Sequence, residues 1–202
     1  LGFRAVRGLA TTAALVSTFD NHALGRINFV PFWRHSLATA VCARELARHL
    51  KLNPEHAYTA GLLHDIGRLV LATQFQPSYK EVVAHRAKHD CTLMEAERAV
   101  LSIDHAAVGH AMTAHWKFPP SIQLAIAHHH SPEPAMEQTL PCVIQAADAL
   151  AHALDFSGDD DDLVPLVPLT TWQQLGLDDA TLLEVMASSE HQFDGASLVL
   201  SH

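Results

Sequence analysis

The 202-residue chain is 49% hydrophobic, and its 13 lysines and arginines against 22 aspartates and glutamates give a formal net charge of −9. That length suits one domain, or one domain plus an appendage, with a core of its own. The acidic balance, with no basic cluster, argues against direct nucleic-acid binding.

Cys42, Cys91 and Cys142 are far apart and form no Cys-x-x-Cys pair. They read as buried thiols in a reducing cytoplasm, not as a disulfide framework or a structural zinc site. The most apolar N-terminal stretch, residues 8–19, is too short and too dotted with threonine and serine to cross a bilayer. A soluble, cytoplasmic protein is the expectation.

Alanine and leucine are abundant, and apolar positions recur at three- and four-residue steps between prolines, so the fold class is all-α. A first helix is predicted over residues 2–19 and a loop over 20–28. The next helix covers 31–49, with Pro31 in its first turn and His35 close behind. Asn53 caps and Pro54 opens a helix whose C-terminal end carries His64 and Asp65, with Gly67 read as its stop. A helix over 77–88 follows Pro77, and Thr92 with Glu95 has the spacing of a capping box heading a helix to residue 101. Asp104 caps a helix over 105–116, and Pro119 and Pro120 open a segment ending in His128, His129 and His130. Pro132 and Pro134 stop it. The last core helix, 140–154, contains Asp148.

Residues 155–162 hold five aspartates and read as a solvated loop, since the spaced glutamate of a calcium-binding EF-hand is missing. A short segment near 171–175 and a helix over 179–191 complete a C-terminal appendage. The predicted division is therefore 1–154 and 155–202.

A metal pocket is the one chemistry for which the chain supplies a full set of ligands. His35, His64, Asp65 and Asp148 give two imidazoles and two carboxylates from three predicted helices, enough for one octahedral ion completed by water. His105 and two of the histidines at 128–130 could hold a second ion, with Asp65 between the two. The competing reading makes His35 and His105 hydrogen-bonded core residues and the three consecutive histidines a solvated helix end facing the negative pole of its dipole. The other histidines, His152 among them, have no comparable partners; His85 and His89 share a face that reads as exposed. No nucleophile elbow or phosphate-binding glycine loop occurs.

Four segments in order carry a family resemblance: Phe32-Trp-Arg-His-Ser-Leu-Ala-Thr-Ala40, Ala60-Gly-Leu-Leu-His-Asp-Ile-Gly-Arg-Leu69, Ile103-Asp-His-Ala-Ala-Val-Gly109 and Ala125-Ile-Ala-His-His-His-Ser-Pro132. Over residues 1–154 the chain resembles the HDOD domain, the HD-related output domain of bacterial signalling proteins. The resemblance implies an HD-superfamily helical bundle in which His35, His64, Asp65 and Asp148 are metal ligands. The related HD-GYP phosphodiesterases imply a second set in His105, His129 and His130, leaving His128 out. One or two divalent ions are implied, iron or manganese first, with zinc or nickel as alternatives. The Gly-Tyr-Pro signature of enzymes that cleave cyclic di-GMP is replaced here by Ser131-Pro-Glu-Pro-Ala135.

Two functions follow: a signalling output domain, or a metal-dependent phosphohydrolase or phosphodiesterase in which Asp65 and Arg68 are the catalytic residues. HDOD domains usually carry further helices ahead of the segment with which this chain opens. A missing N-terminal subdomain is therefore expected, with the surface around Leu9, Leu15 and Phe19 open to that subdomain, a signalling partner or self-association.

Overall fold

The computed structural model describes residues 30–132, 139–157 and 164–200. The helix expected over 2–19, its apolar surface and part of the acidic loop lie outside them.

The helix expected from Pro31 runs Val30–His49 (α1) and is buried on nearly every side, with Trp33, Leu37, Val41 and Leu46 among its core residues. A helix covered on nearly every side must lie inside a bundle, and α1 does so. Asn53 caps α2 (Pro54–Leu63), accepting from the backbone N–H groups of Glu55 and His56. Between α1 and α2 the backbones nearly touch: a Cβ on Gly61 would lie 2.8 Å from the Cα of Ala40.

The expectation that Gly67 stops a helix is corrected. Ile66–Gln74 forms a helix (α3), and Gly67 sits inside its first turn. Its glycine is required by close approach, because a Cβ there would come within 2.0 Å of the His105 carbonyl oxygen. Gly67→Ala should therefore push the chain at His105 away. We expect a destabilisation of about 1–3 kcal/mol, the usual cost of overpacking, together with weakened metal binding. Thermal melts and metal titration of the variant check both.

Gln76–His89 (α4) buries only Val82; His89 is exposed as expected, whereas His85 is half-buried, its ring 4.2 Å from that of His89. Thr92 and Glu95 form the capping box of α5 (Leu93–Leu101), and Asp104 caps α6 (His105–His115). Pro120–His128 (α7) and Leu140–Ala153 (α8) follow, α8 buried along almost its whole length. Leu169–Leu175 (α9) packs on α8.

The last helix, Asp179–Ser197 (α10), extends beyond the predicted residue 191 and packs against α1. Phe193 is buried and stacks on Phe156 at 4.3 Å. The Arg34 guanidinium lies 5.2 Å over the Phe193 ring, and its Nε donates to the Phe156 carbonyl at 3.0 Å. The buried Glu45 carboxylate accepts from Ser188 of α10 and from Arg48 of α1. No strand occurs among the described residues, and no helix among them is long and apolar enough to cross a membrane.

One cysteine departs from expectation. Cys42 and Cys142 are buried, but Cys91, in the short turn after α4, is partly exposed. Burial pushes the Cys42 thiol up to about 12 and raises that of Cys142. Because the thiolate is the reactive form, a disulfide reagent should titrate Cys91 quickly in the native protein. Cys42 and Cys142 should react only on unfolding; three rapid equivalents would contradict this.

Candidate metal centre

The His64-Asp65 doublet occupies the two-residue break between α2 and α3. His64 is the C-cap of α2 and Asp65 the N-cap position of α3, where its carboxylate makes no capping bond and turns inward. His35 enters from α1, Asp148 from α8, His105 from the first residue of α6, and His129 and His130 from the end of α7. His35, His64, Asp65, His105, His129 and Asp148 are all buried.

The structure brings the seven predicted residues together, six of them in two overlapping groups. His35, His64 and Asp65 offer donor atoms within 4.8 Å of one another, as do Asp65, His105, His129 and His130. Asp65 belongs to both. Asp148 joins the first side, its Oδ1 being 2.9 Å from Nε2 of His35 and 3.7 Å from Nε2 of His64. Oδ1 of Asp65 lies 3.3 Å from Nε2 of His105 and 3.7 Å from that of His129. His128 belongs to neither group.

Three of the rings are fixed by what their other nitrogen does. Nδ1–H of His64 donates to the Gly61 carbonyl at 2.7 Å, and Nδ1–H of His129 to the Ile126 carbonyl at 2.8 Å. Nδ1–H of His105 donates to the Glu97 carboxylate at 2.6 Å. With the proton on Nδ1, each ring in its neutral form presents a bare Nε2 lone pair to the carboxylates. Acceptors therefore face acceptors at His129, whose buried Nε2 has no hydrogen-bond partner, while Nε2 of His105 lies 2.7 Å from Nε2 of His130, which can donate its N–H. Such an array is satisfied by a cation at its centre, and imidazole with carboxylate suits a divalent transition ion. The residues present fit the metal implied by the sequence.

The electrostatics agree. Burial alone would raise Asp65, but Arg68 and the surrounding histidines hold it well below the usual carboxylate range. Asp148 is likewise held low, against burial, by hydrogen bonds from His152 and His35. Burial drives His64 down to about 4 and, with His129 and His105 beside it, His130 to about 2. Burial would lower His129, but the pull of Asp65 outweighs it and raises the ring. The cluster thus holds two anionic carboxylates beside two imidazoles, His64 and His130, that burial keeps neutral.

Arg68 reaches back to Asp65, Nη1 to Oδ2 at 2.5 Å, and its side chain remains 35% exposed at the edge of the cluster. Three neighbours were not among the predicted residues. Glu97 of α5 is fully buried and accepts from both the ring and the backbone N–H of His105. Nothing in the spacing pointed to it. Tyr79 of α4 lies beside Arg68, whose charge lowers its hydroxyl against a larger rise from burial. His152, read as partnerless, lies with Nε2 3.4 Å from Oδ1 of Asp148, and its i,i+4 spacing was the available signal.

The profile of the HDOD domain matches residues 1–132. Among curated proteins the chain is similar to Ribonuclease Y of Syntrophobacter fumaroxidans, 33% identical over 120 residues, which is 59% of this chain and 18% of that protein. Ribonuclease Y of Thermus thermophilus is 31% identical over 135 residues, 64% of this chain and 19% of that protein. The chain thus spans about a fifth of the length of these relatives.

Among solved structures, a protein from Shewanella amazonensis SB2B provisionally described as a phosphohydrolase superposes with a TM-score of 0.78 at 23% identity, over 99% of this chain and 74% of that one. An HDOD domain protein of unknown function from Geobacter sulfurreducens gives 0.73 at 23%, over 95% and 72%. A protein from Marinobacter aquaeolei VT8 provisionally described as acting in signal transduction gives 0.73 at 24%, over 100% and 46%. At these identities the superpositions speak for the fold, an HD-like helical bundle, and the profile match speaks for the family: the chain belongs to the HDOD domain family.

Proposed function

We propose that the chain is a signal-transduction output domain of HDOD type that holds one or two divalent ions at the His-Asp centre. The carrying observation is the convergence of bare, buried Nε2 atoms on Asp65 and Asp148, with the outer nitrogens of His64, His105 and His129 anchored. His35, His64, Asp65 and Asp148 would hold one ion, and Asp65, His105, His129 and His130 the other. Iron or manganese suits this thiolate-free set, as do zinc and nickel. Residues 1–154 would form the HDOD unit, with 155–202 as its appendage. A signalling protein, an N-terminal helical subdomain or a second copy would be the partner. The signal-transduction description of the Marinobacter protein supports this reading.

A second reading, a metal-dependent phosphohydrolase or phosphodiesterase, is favoured by the Ribonuclease Y relatives and by the exposed edge of Arg68. A bound ion would supply Lewis acidity. Asp65 would then orient the reacting water, and Arg68 would take a phosphate oxygen as a charged fork.

The two readings separate by turnover. Metal-loaded protein should be assayed on nucleotide monoesters, cyclic dinucleotides and RNA. Bound metal without turnover supports the signalling domain; hydrolysis lost in both Asp65→Asn and Arg68→Ala supports the enzyme.

A further inference from the structure

We infer that His152 is a fifth protein donor to the first ion, standing where a phosphate oxygen would otherwise bind; this rests on the metal reading above. Asp148 and His152 are one turn apart on α8, a helix held in the core, so both side chains project from one face toward α1. Oδ1 of Asp148 is ringed by three imidazole nitrogens: Nε2 of His35 at 2.9 Å, of His152 at 3.4 Å and of His64 at 3.7 Å. Donors about 2.1 Å from a common ion at octahedral to tetrahedral angles lie roughly 3.0–3.4 Å apart. The spacing of His152 from Asp148 therefore suits a shared ion, and His35, Asp148 and His152 offer donor atoms within 4.8 Å of one another. The His152 ring also packs against the His35 ring at 4.3 Å, which fixes its direction.

Its exposure gives the residue its function. The His152 side chain is 20% exposed, whereas those of His35, His64, Asp65 and Asp148 are 10% or less. It thus stands on the open side of the first ion position. Four protein donors leave an octahedral ion two free positions, one for water and one for a substrate oxygen. With His152 the ion keeps one. The first ion is then a binding and folding element with little room for phosphate.

The test uses the full chain loaded with cobalt(II), read by visible absorption and by calorimetric titration with inorganic phosphate. His152→Ala should change the cobalt spectrum, weaken metal retention about tenfold or more, and bind phosphate at least tenfold more tightly than the wild type. His152→Asn can still donate an N–H to Asp148, and it should behave like the alanine variant; it also carries the test if alanine prevents folding. Superimposable spectra and equal phosphate affinities in wild type and variants would overturn the inference while leaving the metal centre standing. A wild-type spectrum restored by asparagine would also overturn it, reducing His152 to a hydrogen-bond support. A wild type that takes up no cobalt would overturn the metal reading itself.

Discussion

Replacing Asp65 with asparagine is expected to empty both halves of the centre while the helical bundle stays folded. One carboxylate oxygen of Asp65 faces His105 and His129, and the other faces His64 and Arg68. No other described residue belongs to both of these donor groups. Asparagine keeps the shape but loses the charge that balances two ions, so affinity should fall by at least the ~100-fold seen when even supporting residues of a metal site are altered. The stability consequence follows from linkage. An ion present at 100 times its dissociation constant stabilises the native state by about 2.7 kcal/mol, worth roughly 5–10 °C in melting temperature for a chain of this size. Manganese should raise the wild-type midpoint by that amount, EDTA should reverse it, and Asp65→Asn should show neither response. An exposed control, His89→Ala, should respond like the wild type.

Phe193→Ala should be among the most destabilising substitutions in the chain, at about 3–5 kcal/mol, the usual range for truncating a buried phenylalanine. Its ring fills the contact between α10 and α1, stacked on Phe156 and covered by Arg34. Arg34 immediately precedes His35, so loosening this contact also loosens the start of the His-Asp cluster. Chemical denaturation should show a lower midpoint in a single transition. If α10 instead unfolds separately and the remaining transition is unchanged, the C-terminal helix is dispensable to the bundle.

Most of the helical order was legible because local chemistry marks it. Asn53, Thr92 with Glu95, and Asp104 cap the helices they were expected to cap, since short polar side chains satisfy the first free N–H groups wherever the rest of the chain goes. Helix α3 was missed because Gly67 resembles a stop when seen locally, whereas its lack of a side chain answers a contact with His105 from the start of α6. That these imidazoles and carboxylates would gather was legible because such side chains have few other reasons to converge from separate helices. Glu97 was not, because its link to His105 depends on how α5 and α6 meet. His152 sat at a readable spacing from Asp148, but one such pair on an isolated helix is common and carries meaning only beside His35.

Whether the buried imidazoles and carboxylates form a metal centre is tested most directly by elemental analysis of the purified chain, after loading with iron, manganese, zinc or nickel and removal of free metal. One or two equivalents per chain, removed by chelation and absent from Asp65→Asn, is the predicted result. A wild-type chain that retains no metal under any of these loadings would contradict it.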